Sequence, residues 1–534
     1  MKRIVSAAGQ PTWWKAGFTP FVPCATTPVK RIWWRAACAV FLLRAMTVAL
    51  PAQTLTTLHR FDSADCGYPA TALVQALDGM LYGTTTGGGT TNSGTIFEIA
   101  PGGTLSTLYS FCPNGGGSEC LNGNAGSAPL VQATNGDLYG TTSAGLNGPG
   151  SVFETTPRGA LTTVYSFGGT SGGGAWEPGP LIQASNGDFY GTTGVGGDTN
   201  AACIFGGAGC GTVFRITPAG VLTILHEFCA QQGCPDGYYP VGGLVQAASG
   251  DFYGTTEYGG ANCESYPDFG CGTVFKITPG GTLTTLYSFC AQQVLNCVDG
   301  SYPEAGLSAA SDGYLYGTTS AGGVNAEGDK GGTVFKIRPG GALTTLYSFC
   351  AQSGCADGYG PEAALIQATD GEFYGTTAGG GAFAGGTIFK VPSSGTLATV
   401  YSFCARSGCT DGSNPTASLV QDTSGEFYGT TLLGGSGSGG LGPGCGTVFS
   451  LSAGLGPFVE TLPSSAAVGA EVRILGTGVT GATSVSFNGT AAAFEVVSAS
   501  EITTTVPAGA SSGEVRVVTP SGALSSNVPF RVSP

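Results

Sequence analysis

Residues 244–289 read LVQAASGDFYGTTEYGGANCESYPDFGCGTVFKITPGGTLTTLYSF. Four runs in this stretch are rich in Val, Thr, Tyr and Phe and are bounded by Gly, Pro or Asp: LVQA, YGTT, GTVF and LTTLYSF. Each reads as a short β-strand. Between the first two lies Ser249-Gly250-Asp251, and between the last two Pro279-Gly280-Gly281, both tight-turn chemistry. In residues 283–289 strict alternation puts Leu283, Thr285, Tyr287 and Phe289 on one face, with Leu286 on the other. Val274 and Phe275 point to opposite faces as well. Apolar residues on both faces predict a sheet sandwiched between two others.

The stretch is one of seven copies. YGTT starts at Tyr82, Tyr139, Tyr190, Tyr253, Tyr316, Tyr374 and Tyr428, with spacings of 51 to 63 residues. LVQA-like runs start at Leu73, Leu130, Leu181, Leu244, Leu307, Leu365 and Leu419; GTVF-like runs at Gly94, Gly150, Gly211, Gly272, Gly332, Gly386 and Gly446. LTTLYSF-like runs start at Leu55, Leu105, Leu161, Leu222, Leu283, Leu343 and Leu397. Four strands in each of seven units predict an all-β, seven-bladed β-propeller. The copy at Leu55 has no partners before it, and the unit after Leu419 lacks that copy. The N-terminal strand is therefore expected to complete the last blade and close the ring, which removes free sheet edges. An open β-solenoid is the alternative, but its coils are usually shorter.

Composition agrees. Gly contributes 94 of 534 residues, charged residues only 10 % and hydrophobic residues 41 %. Charge-driven disorder, collagen and long coiled coils are excluded. Residues 1–53 carry seven basic residues and no acid, whereas the remainder carries 12 basic against 33 acidic residues. Such an acidic surface repels phosphate backbones, so nucleic acid is not an expected partner. The leader runs from a long basic region with Trp13, Trp14, Trp33 and Trp34 into an apolar stretch, residues 36–50, interrupted by Arg44. This order reads as a secretory signal, and the stretch is short for a membrane span. Export to the exterior or cell surface follows, with no stable membrane span once the leader is removed. The oligomeric state is left open.

The cysteines fit export. Two of the 18 lie in the leader. Most others form close pairs: Cys112/Cys120, Cys203/Cys210, Cys229/Cys234, Cys263/Cys271, Cys290/Cys297, Cys350/Cys355 and Cys404/Cys409. Variable gaps and only two His in the chain favour disulfides over metal sites. Cys66 and Cys445 fall outside this pattern. They flank strands that become neighbours on ring closure, and a Cys66–Cys445 clamp is expected.

The YGTT…GG…GTVF…LTTLYSF unit resembles the Gloeo-Verruco ("GloVer") tandem repeat of exported bacterial proteins, over about residues 54–452. The resemblance implies no established activity. Family members carry varied C-terminal anchoring or sorting segments, and this chain shows no hydrophobic tail. Cysteine and repeat signals stop after Leu451. The series Val468-Gly469, Ile474-Leu475-Gly476-Thr477-Gly478, Val485-Ser486-Phe487-Asn488-Gly489, Val506-Pro507-Ala508-Gly509 and Phe530-Arg531-Val532 resembles an IPT/TIG domain. That family implies an immunoglobulin-like β-sandwich with a spacer or interaction role. The expected organisation is leader 1–53, propeller 54–453 and Ig-like domain 456–534.

Tight turns alternate with long loops along each unit, so all long loops are expected on one face of the propeller. Length variation and nearly all mature cysteines lie there, which makes it the expected binding face. Trp176, Tyr238, Tyr239, Tyr258, Tyr266, Phe269, Tyr302 and Tyr359 supply aromatic surface on those loops, suited to a carbohydrate or a surface protein. Catalysis is not expected. His59 and His226 replace the repeat's Tyr, and no nucleophile elbow, zinc-binding helix or phosphate loop is present. Asp236, Asp299, Asp357 and Asp411 read as turn residues rather than Ca²⁺ ligands. No metal or cofactor site is expected, and no single carboxylate pair stands out for a carbohydrate-active enzyme. Such an enzyme and a purely structural surface protein are the alternatives to a binding protein.

Overall fold

The computed structural model describes residues 53–533 except 63–66, 113–123, 126–127, 144–149, 169–175, 198–208, 262–270, 292–296, 328–329, 437 and 440–441. Seven four-stranded antiparallel sheets are built from the repeats, in the order expected. In the fifth blade the strands are Ser308–Ala309, Leu315–Thr319, Thr333–Ile337 and Leu343–Ser348. The N-terminal strand Thr54–Arg60 pairs antiparallel with Thr447–Ser452 and is the outer strand of the last blade. Two blades add a further strand beside the YGTT run: Asn124–Ala125 in the second and Trp176–Pro178 in the third.

Each letter of YGTT has a physical task. The Tyr ring packs on the aromatic residue of the next blade, as in Tyr316–Phe373 and Tyr190–Phe252 at 3.8 and 4.1 Å between centroids. The Gly lies under the GTVF phenylalanine in all seven blades; a Cβ on Gly317 would sit 2.5 Å from Phe335 Cζ and 2.8 Å from Leu307 Cδ2. The first Thr reaches the following blade: Thr255 Oγ1 donates to Ala305 O (2.8 Å), Thr318 Oγ1 to Ala363 O (3.0 Å) and Thr430 Oγ1 to Thr71 O (3.0 Å). The second Thr shares a hydroxyl hydrogen bond with the Thr of GTVF, as Thr319 does with Thr333 at 2.8 Å. The Gln of LVQA accepts from the previous blade's turn, as Gln367 Oε1 does from Ser311 N at 3.0 Å.

The seam between the last and first blades carries the same contacts. Gln75 Oε1 accepts from Thr423 N at 2.9 Å. Phe61, at the end of the N-terminal strand, meets Phe97 of the first blade edge-on at 5.9 Å, where other seams have pairs such as Phe289–Phe335 at 5.3 Å. The chain is therefore a closed ring.

Gly317→Ala is expected to lower stability by about 1–3 kcal/mol, because the added methyl must displace a packed Phe ring. Thermal denaturation of the oxidised variant checks this; an unchanged midpoint would contradict the packing role.

One expectation needs correction. The outer strand does not alternate strictly: register slips at its middle, so that Val274 faces Tyr287 and Phe275 faces Thr285. The extra residue, Leu286, forms a bulge. Leu286, Tyr287 and Phe289 consequently enter one core cluster. Val274 and Phe275 do join different clusters.

Residues beyond the propeller form two four-stranded sheets packed as a sandwich. The first has the strands Val459–Leu462, Glu471–Gly476, Glu501–Thr505 and Phe494–Val496; the second Thr490–Ala492, Ser484–Phe487, Val515–Thr519 and Gly522–Ser525. Val472, Ile474, Val485, Phe487, Ile502 and Val517 fill the core. This domain sits on the tight-turn face of the propeller. Ser500 Oγ donates to Leu77 O (2.7 Å), Phe458 N to Thr423 O (3.1 Å) and Arg531 Nη1 to Ala247 O (3.3 Å). The long-loop face is left uncovered by it.

Candidate functional site

The residue three places before the LVQA leucine turns toward the propeller axis. Ala70, Val241, Glu304, Glu362 and Thr416 hold this place and line one cavity of about 320 Å³. The rest of its wall is Ala, Gly, Pro and Leu, with the hydroxyl residues Thr71 and Ser418. Two carboxylates thus enter an otherwise uncharged cavity, and none of its lining residues is Lys, Arg or His. Glu304 Oε accepts a hydrogen bond from Ser320 Oγ at 2.6 Å. Burial raises the Glu304 carboxyl above its ordinary value, against the opposing effect of Ser320. Burial, and then the charge of Glu304, push Glu362 up to about 7.

This pair overturns the expectation that no carboxylate pair stands out. Its signal was present as Pro303-Glu304-Ala305 and Pro361-Glu362-Ala363, in consecutive repeats. Only a position-by-position comparison of repeats isolates it, because the other five copies place Ala, Ser, Pro, Val or Thr there.

A cluster of tyrosines lies near Glu304, outside the cavity wall itself. Tyr258 lies 5.4 Å from Tyr238, 5.6 Å from Tyr239 and 5.7 Å from Tyr302, ring to ring. Tyr238 is buried, and the other three are half-buried. The Tyr258 hydroxyl is raised by burial, by a hydrogen bond to Glu257, and by smaller contributions that include Glu304. Tyr302 and Glu304 are two residues apart, and Ser320 Oγ bridges the Tyr302 carbonyl and the Glu304 carboxylate. Tyr239 and Tyr302 hold φ near +60°, a strained value for a bulky residue. Each is held there by its N–H, which donates to the carbonyl of Cys210 or Cys271.

Tyr359 lies apart from this group, with Lys330 Nζ 5.7 Å above its ring. Trp176 belongs to the strand paired with Val195 in the third blade rather than to a loop, and its side chain lies outside the described residues. Tyr266 and Phe269 also lie outside them.

Disulfides staple the long loops: Cys229–Cys234, Cys290–Cys297, Cys350–Cys355 and Cys404–Cys409. Cys112, Cys210, Cys271 and Cys445 are disulfide-bonded too. Cys66, Cys120, Cys203 and Cys263 lie outside the described residues. The sulfurs of Cys271, Cys290 and Cys297 cluster, but all three are engaged in disulfides. The Asp of each loop is committed as well. Asp357 accepts from Tyr347 Oη at 2.8 Å and from Ala351 N at 3.0 Å, and Asp299 and Asp411 repeat the pattern. His226 takes the Tyr role, with Nε2 2.9 Å from Asp236.

Comparison with known proteins matches the Gloeobacter/Verrucomicrobia repeat over residues 45–265, 122–328 and 266–494, and an IPT/TIG domain over 459–532. No curated protein matches the sequence. Among solved structures, a fungal alcohol oxidase of the AA5 family shares 12 % identity over 90 % of this chain and 99 % of its own, with TM-score 0.44. PorZ, a surface component of the type-IX secretion system of Porphyromonas gingivalis, shares 12 % over 85 % and 58 %, with TM-score 0.41. A Dyadobacter fermentans protein of unknown function shares 11 % over 75 % and 99 %, with TM-score 0.39. The disulfides fit an extracellular setting. Among the described residues no helix is long and apolar enough to cross a membrane. Repeat propeller and Ig-like domain together suggest a cell-surface protein, and the chain belongs to the Gloeobacter/Verrucomicrobia repeat family, with an IPT/TIG domain at its C-terminal end.

Proposed function

We propose that the protein is an exported, non-catalytic binding or adhesion protein that recognises carbohydrate at the mouth of its central channel. The observation that carries this is a cavity that holds Glu304 and Glu362, with the Tyr239, Tyr258 and Tyr302 cluster next to Glu304. Half-buried tyrosines offer flat apolar area and hydroxyls at low entropic cost, and carboxylates accept hydrogen bonds from sugar hydroxyls. The cavity lies at the small end of ordinary ligand pockets, enough for one ring or a chain end.

The carboxylate pair favours a second reading, a carbohydrate-active enzyme. A carboxyl raised to about 7 suits an acid or base working at neutral pH. The two readings separate in one experiment. The full oxidised chain is tested for binding and for turnover on a panel of glycans and cell-wall polymers. The binding reading expects saturable binding without new reducing ends or unsaturated products, weakened about tenfold or more in Tyr258→Ala. Turnover abolished by Glu362→Gln would establish the enzyme instead.

A further inference from the structure

The two channel carboxylates have a charge requirement that a neutral sugar does not meet. Both lie among Ala, Gly, Pro and Leu, and the cavity wall supplies no cation. Buried charge is costly unless it is paired. Glu304 has one hydroxyl donor, Ser320. Gly360, two residues before Glu362, is open enough that a Cβ there would find just Ala378 Cβ and Glu362 Oε1, each at 3.8 Å. The site therefore repels anions and gains most from a ligand that carries positive charge into it.

A divalent metal fits the wall poorly. Ca²⁺ takes six to eight oxygen ligands. The carbonyls flanking the pair, Ala305 O and Ala363 O, already accept the hydroxyls of Thr255 and Thr318. Thr71 Oγ1 is likewise engaged with Thr84. A primary ammonium asks for less. Its three N–H donors can be shared between two carboxylates, and charge-assisted bonds of this kind are strong. The half-buried Tyr258 ring feels the Glu304 charge and lies 5.7 Å from the ring of Tyr302, so the pair offers apolar area next to the cavity for a sugar ring.

Resting on the carbohydrate reading above, we propose that the channel mouth selects amino sugars with a free, protonated amine. The ammonium enters between Glu304 and Glu362, and the ring rests against Tyr258 and Tyr302. Acetylation removes the charge and adds bulk next to the two carboxylates.

Isothermal titration of the full oxidised chain at pH 7 tests this with four probes: a glucosamine tetramer, the same tetramer fully N-acetylated, Nα-acetyl-lysine amide and calcium chloride. The glucosamine tetramer should bind saturably and at least tenfold more tightly than the acetylated one. The Glu304→Gln/Glu362→Gln variant should lose that preference while keeping a cooperative melting transition, since it removes mutual repulsion. Each single Gln variant serves as a second probe if the double variant melts early. Equal binding of both tetramers would overturn the amine proposal and leave the carbohydrate reading intact. Lysine amide binding as tightly as the tetramer would keep the ammonium subsite and overturn the sugar selection. Calcium binding that competes with the amine would replace the proposal with a metal site. No binding of any probe by a folded sample would overturn it outright, and the glycan panel would then decide the broader reading on its own.

Discussion

Replacing Cys445 by Ser should destabilise the oxidised chain far more than removing any loop disulfide. Cys445 is disulfide-bonded and fully buried beside the seam where the N-terminal strand closes the ring. Its carbonyl accepts Tyr68 N at 3.1 Å, and the next residue's carbonyl accepts Phe61 N at 3.1 Å. These bonds bring the chain on either side of Cys66 to Cys445, and we propose that these two cysteines form the clamp. The loop so closed contains nearly the whole propeller. On the chain-entropy account, such a closure contributes about 6 kcal/mol, against about 2 kcal/mol for a short loop like that of Cys350–Cys355. Denaturant unfolding of Cys445→Ser and Cys350→Ser, side by side under oxidising conditions, reads the difference. A larger loss in Cys350→Ser would contradict the clamp, as would peptide mapping that joins Cys445 to a cysteine other than Cys66.

The second large effect is a stability that depends on pH through Glu362. Its folded-state value of about 7 lies above the ordinary carboxylate value, so the native state holds a proton that the unfolded chain releases. Stability therefore falls as pH rises from the unfolded value through about 7, and the deficit is complete above it. Glu362→Gln removes the titration. The variant should be more stable than the parent by about 2 kcal/mol at pH 8, and should show little gain at pH 5. Melting curves across this range give the result directly. A gain that is the same at both pH values would mean that the substitution acts through packing, and that the carboxylate is not held in a desolvated site.

The fold was legible because the repeat is nearly a structural specification. Gly in YGTT and Phe in GTVF occur together because the ring covers the glycine, and the two runs therefore announce their own pairing. The offset at Leu55 announced the closure. The bulge at Leu286 was not legible. Both Leu286 and its neighbours are apolar or β-forming, so alternation alone gives no sign of an inserted residue. The candidate site was half legible. Tyr238, Tyr239, Tyr258 and Tyr302 stood out as aromatics on one face, and the structure gathers them. Tyr359 stood out equally and lies elsewhere, because a loop aromatic can as easily pack within its own blade, as Tyr359 does against Gly379. Glu304 and Glu362 are not legible in any single repeat. A carboxylate gains meaning only when the axis of the ring brings adjacent repeats together, and that axis is a property of the closed propeller rather than of any one repeat.

The most direct test of the account is hydrogen–deuterium exchange of the full oxidised chain, with and without a saturating glycan from the binding panel. The account predicts slowed exchange in residues 238–242, 257–260, 302–306 and 359–363, with the tight turns and the Ig-like domain unchanged. Protection confined to residues 459–532, or to the turns near Leu77 and Thr423, would place recognition on the opposite face and contradict the channel-mouth site.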